Sequence, residues 1–280
     1  MKKSILVFLI LWFAVDISAQ LTYPIQGTFQ KMSAQGMAIY GDTAYLMNDG
    51  GLCRVLDLKR RNIVRSFNVG SSAKGNHINN ACFGKVDSKS GELPLLYLSE
   101  CMGKGRCFVE QLTADSSILV QTIEAFKGGK NYRMTNWVVD NEKGHLYGIT
   151  RNRQALLDSA WNVKCHIVKY RIPTLNEGPK VNLSEKDVID QFEVIYPNIL
   201  QGCKIRGNKL FLVTGLQQSL GYRKDSQRAI LVIDLRKKEL VEQIDLTYLT
   251  TNEPEDMDFY KNYALLYCGQ EGGLYKIKVK

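Results

Sequence analysis

The residues best suited to chemistry stand at the starts of five apolar segments. These are Gln35 in QGMAIYG, Asn80 in NACFGK, Asn136 in NWVVDN, Gln201 in QGCKIRG and Glu255 in EDMDFYK. Further polar groups lie close by in sequence: His77 and Asn79 in KGNHINN, Arg133 and Trp137 in YRMTNW, and Glu253 in NEPED. Gathered at one mouth, these amides, imidazole, guanidinium and carboxylates would bind a polar ligand, with Trp137 offering an apolar face to a sugar or base. Amides at strand starts also satisfy backbone groups in turns, so residue type alone leaves both roles open. Glu253, Glu255, Asp256 and Asp258 form a dense acidic cluster. Two carboxyl groups flanking a sugar can hydrolyse a glycosidic bond, and carboxylate oxygens can ligate calcium. Neighbours on one strand establish neither arrangement, and EF-hand spacing is missing. Calcium is therefore a possible cofactor, with no residue set assigned to a metal. There is no GxSxG elbow, HExxH, Walker loop or dinucleotide fingerprint, so a catalytic residue cannot be assigned by motif.

Positioning such residues at one mouth requires a repeating scaffold, and the chain has one. Each of the five segments is followed by a second apolar strand: DTAYLMN, LPLLYLSE, GHLYGITR, NKLFLVTG and NYALLYCG. Residues 55–69 (VLDLKRRNIVRSFNV) and 232–246 (VIDLRKKELVEQIDL) are matching hairpins, each a strand closing on Asp-Leu, a basic turn and an alternating strand. A hairpin that cannot bury both faces alone needs like neighbours. Spacings of 45 to 65 residues between the reference positions suit four-stranded blades, the longer ones carrying loops such as one within residues 216–227. The expected fold is an all-β, five-bladed β-propeller; six blades or a β-sandwich are the alternatives. The last unit has three strands, EDMDFY, YALLYC and GLYKIKV. Closure is expected from an N-terminal outer strand, residues 21–31, beside residues 272–279, which would protect both edges.

The Val-x-Asp-Leu hairpins at Val55 and Val232 resemble bacterial exported repeat propellers of the YVTN and quinoprotein-like type. The resemblance implies the fold and carries no catalytic residues, and no quinone or haem motif is seen. Lys2 and Lys3, an apolar run to Val15 and the small residue Ala19 describe a signal peptide over residues 1–19, leaving a single domain over 20–280. The protein is therefore expected to be exported, periplasmic or extracellular, with no transmembrane segment in the mature chain. The formal charge of +9 falls to +8 without the leader, but its lysines and arginines cluster in turns, and no zinc-knuckle or RNP-like pattern points to nucleic acid. Of seven cysteines, Cys53, Cys82, Cys203 and Cys268 read as core. Cys101 and Cys107 flank a glycine-containing turn and are expected to form a disulfide. The function expected is non-catalytic binding, by a monomer, of a polar small molecule, glycan or extracytoplasmic protein at the channel mouth. The alternative is a propeller hydrolase acting on a glycan or phosphoester.

Overall fold

A computed structural model describes residues 23, 34–72, 77–84, 93–100, 103–151, 162–197, 199–216, 228–269 and 273–279. The expected leader, Cys101, the 217–227 loop and residues 21–31 other than Tyr23 lie outside the described residues. The described chain folds into five sheets, antiparallel save for one added strand, arranged as the blades of a propeller. The first blade is β1 (Ala34–Tyr40), β2 (Thr43–Asn48), β3 (Leu52–Asp57) and β4 (Asn62–Asn68). The second is β5 (Ile78–Phe83), β6 (Leu96–Glu100), β7 (Cys107–Leu112) and β8 (Ser117–Lys127), with the short β9 (Lys130–Asn131) returning on β8. In the third, β10 (Asn136–Asp140), β11 (His145–Arg151) and β12 (Asn162–Arg171) are followed by β13 (Lys180–Leu183) and β14 (Val188–Pro197). β14 completes that blade, whereas β13 pairs parallel with β8 and covers the outer edge of the second blade. The fourth is β15 (Leu200–Arg206), β16 (Lys209–Thr214), β17 (Ala229–Asp234) and β18 (Glu239–Asp245). The fifth has β19 (Pro254–Tyr260), β20 (Tyr263–Cys268) and β21 (Gly273–Ile277).

The five expected inner strands are the observed ones, and they touch in sequence around the axis: β1 with β5, β5 with β10, β10 with β15, β15 with β19, and β19 with β1. Apolar side chains pack between successive blades. Ala38, Tyr45 and Met47 of the first blade meet Phe83, Leu96 and Leu98 of the second, and Phe211, Val213 and Ile230 of the fourth meet Met257 and Leu266 of the fifth. Burial decreases outward: β5 is buried along its length, while β18 is exposed at nearly every residue. Strands near the axis have blades on both faces, so they lose the polar alternation that outer strands retain.

The matching hairpins share one turn. Asp57 accepts from the backbone N–H groups of Lys59 and Arg60, and Asp234 from those of Arg236 and Lys237. The fourth loop residue then adopts positive φ, 61° at Arg61 and 62° at Lys238. The turn occurs a third time between β10 and β11, where Asp140 caps Lys143 and Gly144 supplies the positive φ.

Tyr23 is buried beside Leu56, Leu58 and Leu274, and its backbone N–H donates to the Leu274 carbonyl at 2.7 Å. Cys107 is a buried free thiol. The expected bridge to Cys101 is not formed there, because the cross-strand neighbour of Cys107 is Ser99, two residues short of Cys101. Its Sγ lies instead in the apolar cluster with Cys82, Tyr97 and Ile123.

Candidate functional site

The inner strands begin at one end of the axis, and four of the five are irregular there. Pairing shifts register around Gln35 and Gly36 in β1, Asn79 in β5, Gln201 and Gly202 in β15, and Glu255 in β19. β10 pairs without interruption from Asn136. A bulge frees one residue from the ladder and re-aims its side chain. The bulges thus fall on residues singled out by type, Gln35, Asn79, Gln201 and Glu255.

Below this mouth the axis is filled. Asp256 is fully buried, and its Oδ2 accepts the backbone N–H of Met37 at 2.8 Å and of Ala81 at 3.1 Å, while Oδ1 accepts that of Met257 at 2.8 Å. The Lys204 ammonium, also buried, lies 3.2 Å from Asp256 Oδ2 and 3.3 Å from Asn80 Oδ1, and donates to the Ala81 carbonyl. Asn80 Nδ2 donates to the Trp137 carbonyl at 2.7 Å, and its Oδ1 accepts from Cys203 N–H. Asp258 accepts from Ile39 and Phe259 N–H groups. All five inner strands are tied by this network. A Cβ on Gly202 would stand 2.1 Å from Asp256 Oδ1, so glycine is required where β15 passes the carboxylate. Burial pushes the Asp256 carboxyl up to about 7, against the opposing pull of Lys204 and its backbone donors. Burial also opposes the Lys204 charge, yet Asp256 and Asp258 hold its ammonium above the usual value. The two shifts favour different protonation of the pair. Asp256 meets only donors, so the charged pair is the form this geometry fits.

At the mouth itself, Gln201 Nε2 donates to the Gly215 carbonyl at 3.1 Å and to Glu253 Oε1 at 2.6 Å. The Gln201 carbonyl receives Asn79 Nδ2 at 3.1 Å and Asn136 Nδ2 at 2.6 Å. His77 Nδ1 contacts Asp49 Oδ1 at 2.5 Å. Burial raises the Glu253 carboxyl, with Gln201 and His77 opposing the shift. Burial pushes Glu255 much higher, and the charges of Glu253, Asp49 and Asp256 add to the rise. These mutual influences place Asp49, His77, Glu253 and Glu255 in one electrostatic neighbourhood.

Of the expected site residues, the structure gathers Gln35, His77, Asn79, Asn136, Gln201, Glu253 and Glu255 at this end. Asn80 lies one layer lower, inside the axial network. Trp137 does not offer a face to a ligand: it is fully buried, its Nε1 donates to the Gly105 carbonyl at 3.0 Å, and its ring packs 6.1 Å from that of Tyr170. The hydrophobic cost of exposing an indole places it between blades instead. Arg133 packs its stem over the β6–β7 turn at Gly105. Asp49 and Lys204 were missed by sequence reading. Asp49 sits in an ordinary-looking NDGG turn, and a lysine in an apolar strand declares its burial only once the neighbouring blade brings Asp256. The acidic cluster divides by strand alternation: Asp256 serves the axis, and Glu255 the mouth. Among the described residues, no three His, Cys, Asp or Glu side chains converge as a metal shell would require.

No family model and no curated protein matches the sequence. Solved structures similar to it are β-propeller proteins. Glutaminyl cyclase of Myxococcus xanthus is 13% identical with a TM-score of 0.48, over 90% of this chain and 95% of that one. The Cps50 (Swd1) β-propeller domain of Myceliophteria thermophila is 8% identical with a TM-score of 0.46, over 92% and 99%. Hydrazine synthase of Kuenenia stuttgartiensis is 12% identical with a TM-score of 0.40, and the match spans 83% of this chain but 61% of that one.

Proposed function

We propose that the protein is an exported propeller that binds a polar ligand, glycan or protein segment at the axial mouth without transforming it. The observation that carries this reading is the division of labour along the axis. Asn80, Lys204 and Asp256 satisfy one another and block the centre, while Gln35 and Glu255 sit above them on re-aimed strand starts, with Glu253 just ahead of β19. A few polar groups fixed in place are what orient a ligand at a binding site. Export follows from the character of residues 1–19 and is checked by the N-terminal mass of protein recovered from its native host.

A hydrolase is the second reading, supported by one feature. Glu255 retains its proton more strongly than a free carboxyl group beside the less perturbed Glu253, and carboxyls of unequal proton affinity suit general acid and base roles. A screen of p-nitrophenyl glycosides and phosphoesters, run with the wild type and Glu255→Gln, separates the readings. Binding without turnover supports the first; turnover lost in Glu255→Gln supports the second and overturns the first.

A further inference from the structure

Hydrogen-bond accounting at the mouth gives an imbalance. The amide N–H groups of Asn79, Asn136 and Gln201 are directed at Gln201 O, Gly215 O and Glu253 Oε1. Two amide oxygens nearby are left over. Gln35 is 6% exposed and its Oε1 has no hydrogen-bond partner; Asn136 is fully buried and its Oδ1 has none either. Gln35 occupies the bulge of β1 at the place that Glu255 takes in the adjoining β19, so the unpaired oxygen belongs to the same rim as the two glutamates. A buried acceptor without a donor costs about 1–3 kcal/mol, which a ligand N–H recovers.

We infer that the mouth takes a primary ammonium group of a cationic ligand, held by Glu253, Glu255 and the Gln35 amide oxygen. Ammonium is favoured over a hydroxyl because it brings three donors and a full positive charge to Glu253 and Glu255, whose carboxyls burial holds toward the neutral form and an adjoining ammonium draws toward the charged one. A bare metal ion fits less well, since the described residues lack a converging triad of ligands. One layer below, the chain supplies its own instance: the Lys204 ammonium is held by Asn80 Oδ1, the Ala81 carbonyl and Asp256. The formal charge of +9 repels cations from the surface at large, so capture of one reports a local site.

This inference rests on the mouth-binding reading, and a matched set of probes separates the two. Saturation-transfer NMR on the full chain compares n-butylammonium, n-butanol, n-butyrate and methyl β-glucoside. Butylammonium should be retained and the other two butyl probes not, and Glu255→Gln and Gln35→Met should each weaken its binding about tenfold, or about 1.4 kcal/mol. Both variants replace a buried polar group by a near-isostere, and their melting curves confirm folding. Undiminished butylammonium binding in both variants, or equal retention of butanol, overturns the inference. If butanol, butyrate or the glucoside binds at the mouth and butylammonium does not, the ammonium inference fails while polar-ligand binding stands. If no probe binds there, both fail.

Discussion

Lys204 and Asp256 carry opposite charges at a place with almost no water, and the strands around them depend on that pairing. Removing one partner of a buried pair leaves an uncompensated charge, at a cost of about 3–5 kcal/mol. Lys204→Met should therefore lower stability by about that amount in chemical denaturation, and Asp256→Asn in the same chain should return part of the loss, a coupling read by a double-mutant cycle. Gly202→Ala should also destabilise strongly, because its methyl group would meet Asp256 Oδ1 at 2.1 Å. The mouth gives a pH dependence of defined sign. Glu253 and Glu255 bind protons more tightly in the folded state than at their ordinary value of 4.5. Their burial penalty is absent below that value and grows as pH rises toward their folded pKa values, so stability falls with rising pH. Thermal unfolding between pH 5 and 8 should show the wild type losing stability upward, and Glu255→Gln losing less. An increase in wild-type stability over that range would contradict the assigned burial of these carboxyls.

The blade is the scale at which the sequence was most legible. Reference strands and their partners repeat apolar residues between turn residues, and this local periodicity located the five inner strands from Gln35 to Glu255. The Val-x-Asp-Leu hairpins were legible because the Asp side chain caps the turn in both, a requirement local to six residues. Its third occurrence at Asp140 was hidden by NEKG in place of a basic turn, although Gly144 supplies the same backbone conformation. β13 was also hidden: its parallel pairing with β8 depends on a neighbouring blade, which no pattern within residues 180–183 discloses. The shared turn makes a prediction at this scale. Arg61 and Lys238 pay for positive φ where Gly144 does not, so Arg61→Gly and Lys238→Gly should each stabilise the protein by about 0.5–1 kcal/mol. Unchanged or lower denaturation midpoints in both would show that side-chain contacts outweigh the backbone strain.

Across the whole molecule, the inner strands already meet around the axis, while the fifth blade has three described strands of its own. The Tyr23 N–H bond to Leu274 motivates residues 21–31 as the closing strand. Deleting them should lower the melting temperature of the whole propeller in one cooperative transition, since an edge and the cluster around Tyr23 would be exposed; unchanged melting would contradict closure. The candidate site was legible in part. Gln35, Gln201 and Glu255 were identifiable because equivalent repeat positions lie at equal depth, but the burial of Trp137 and the contribution of Asp49 depend on contacts between blades. The most direct test of the central claim, that ligand is taken at the axial mouth, is amide-hydrogen exchange of the full chain with n-butylammonium, methyl β-glucoside or phosphate against sodium chloride. Slowed exchange confined to peptides containing Gln35, Gln201 and Glu253 to Glu255 is the result predicted for at least one probe; protection confined to the outer strands, or to no segment with any of them, would contradict it.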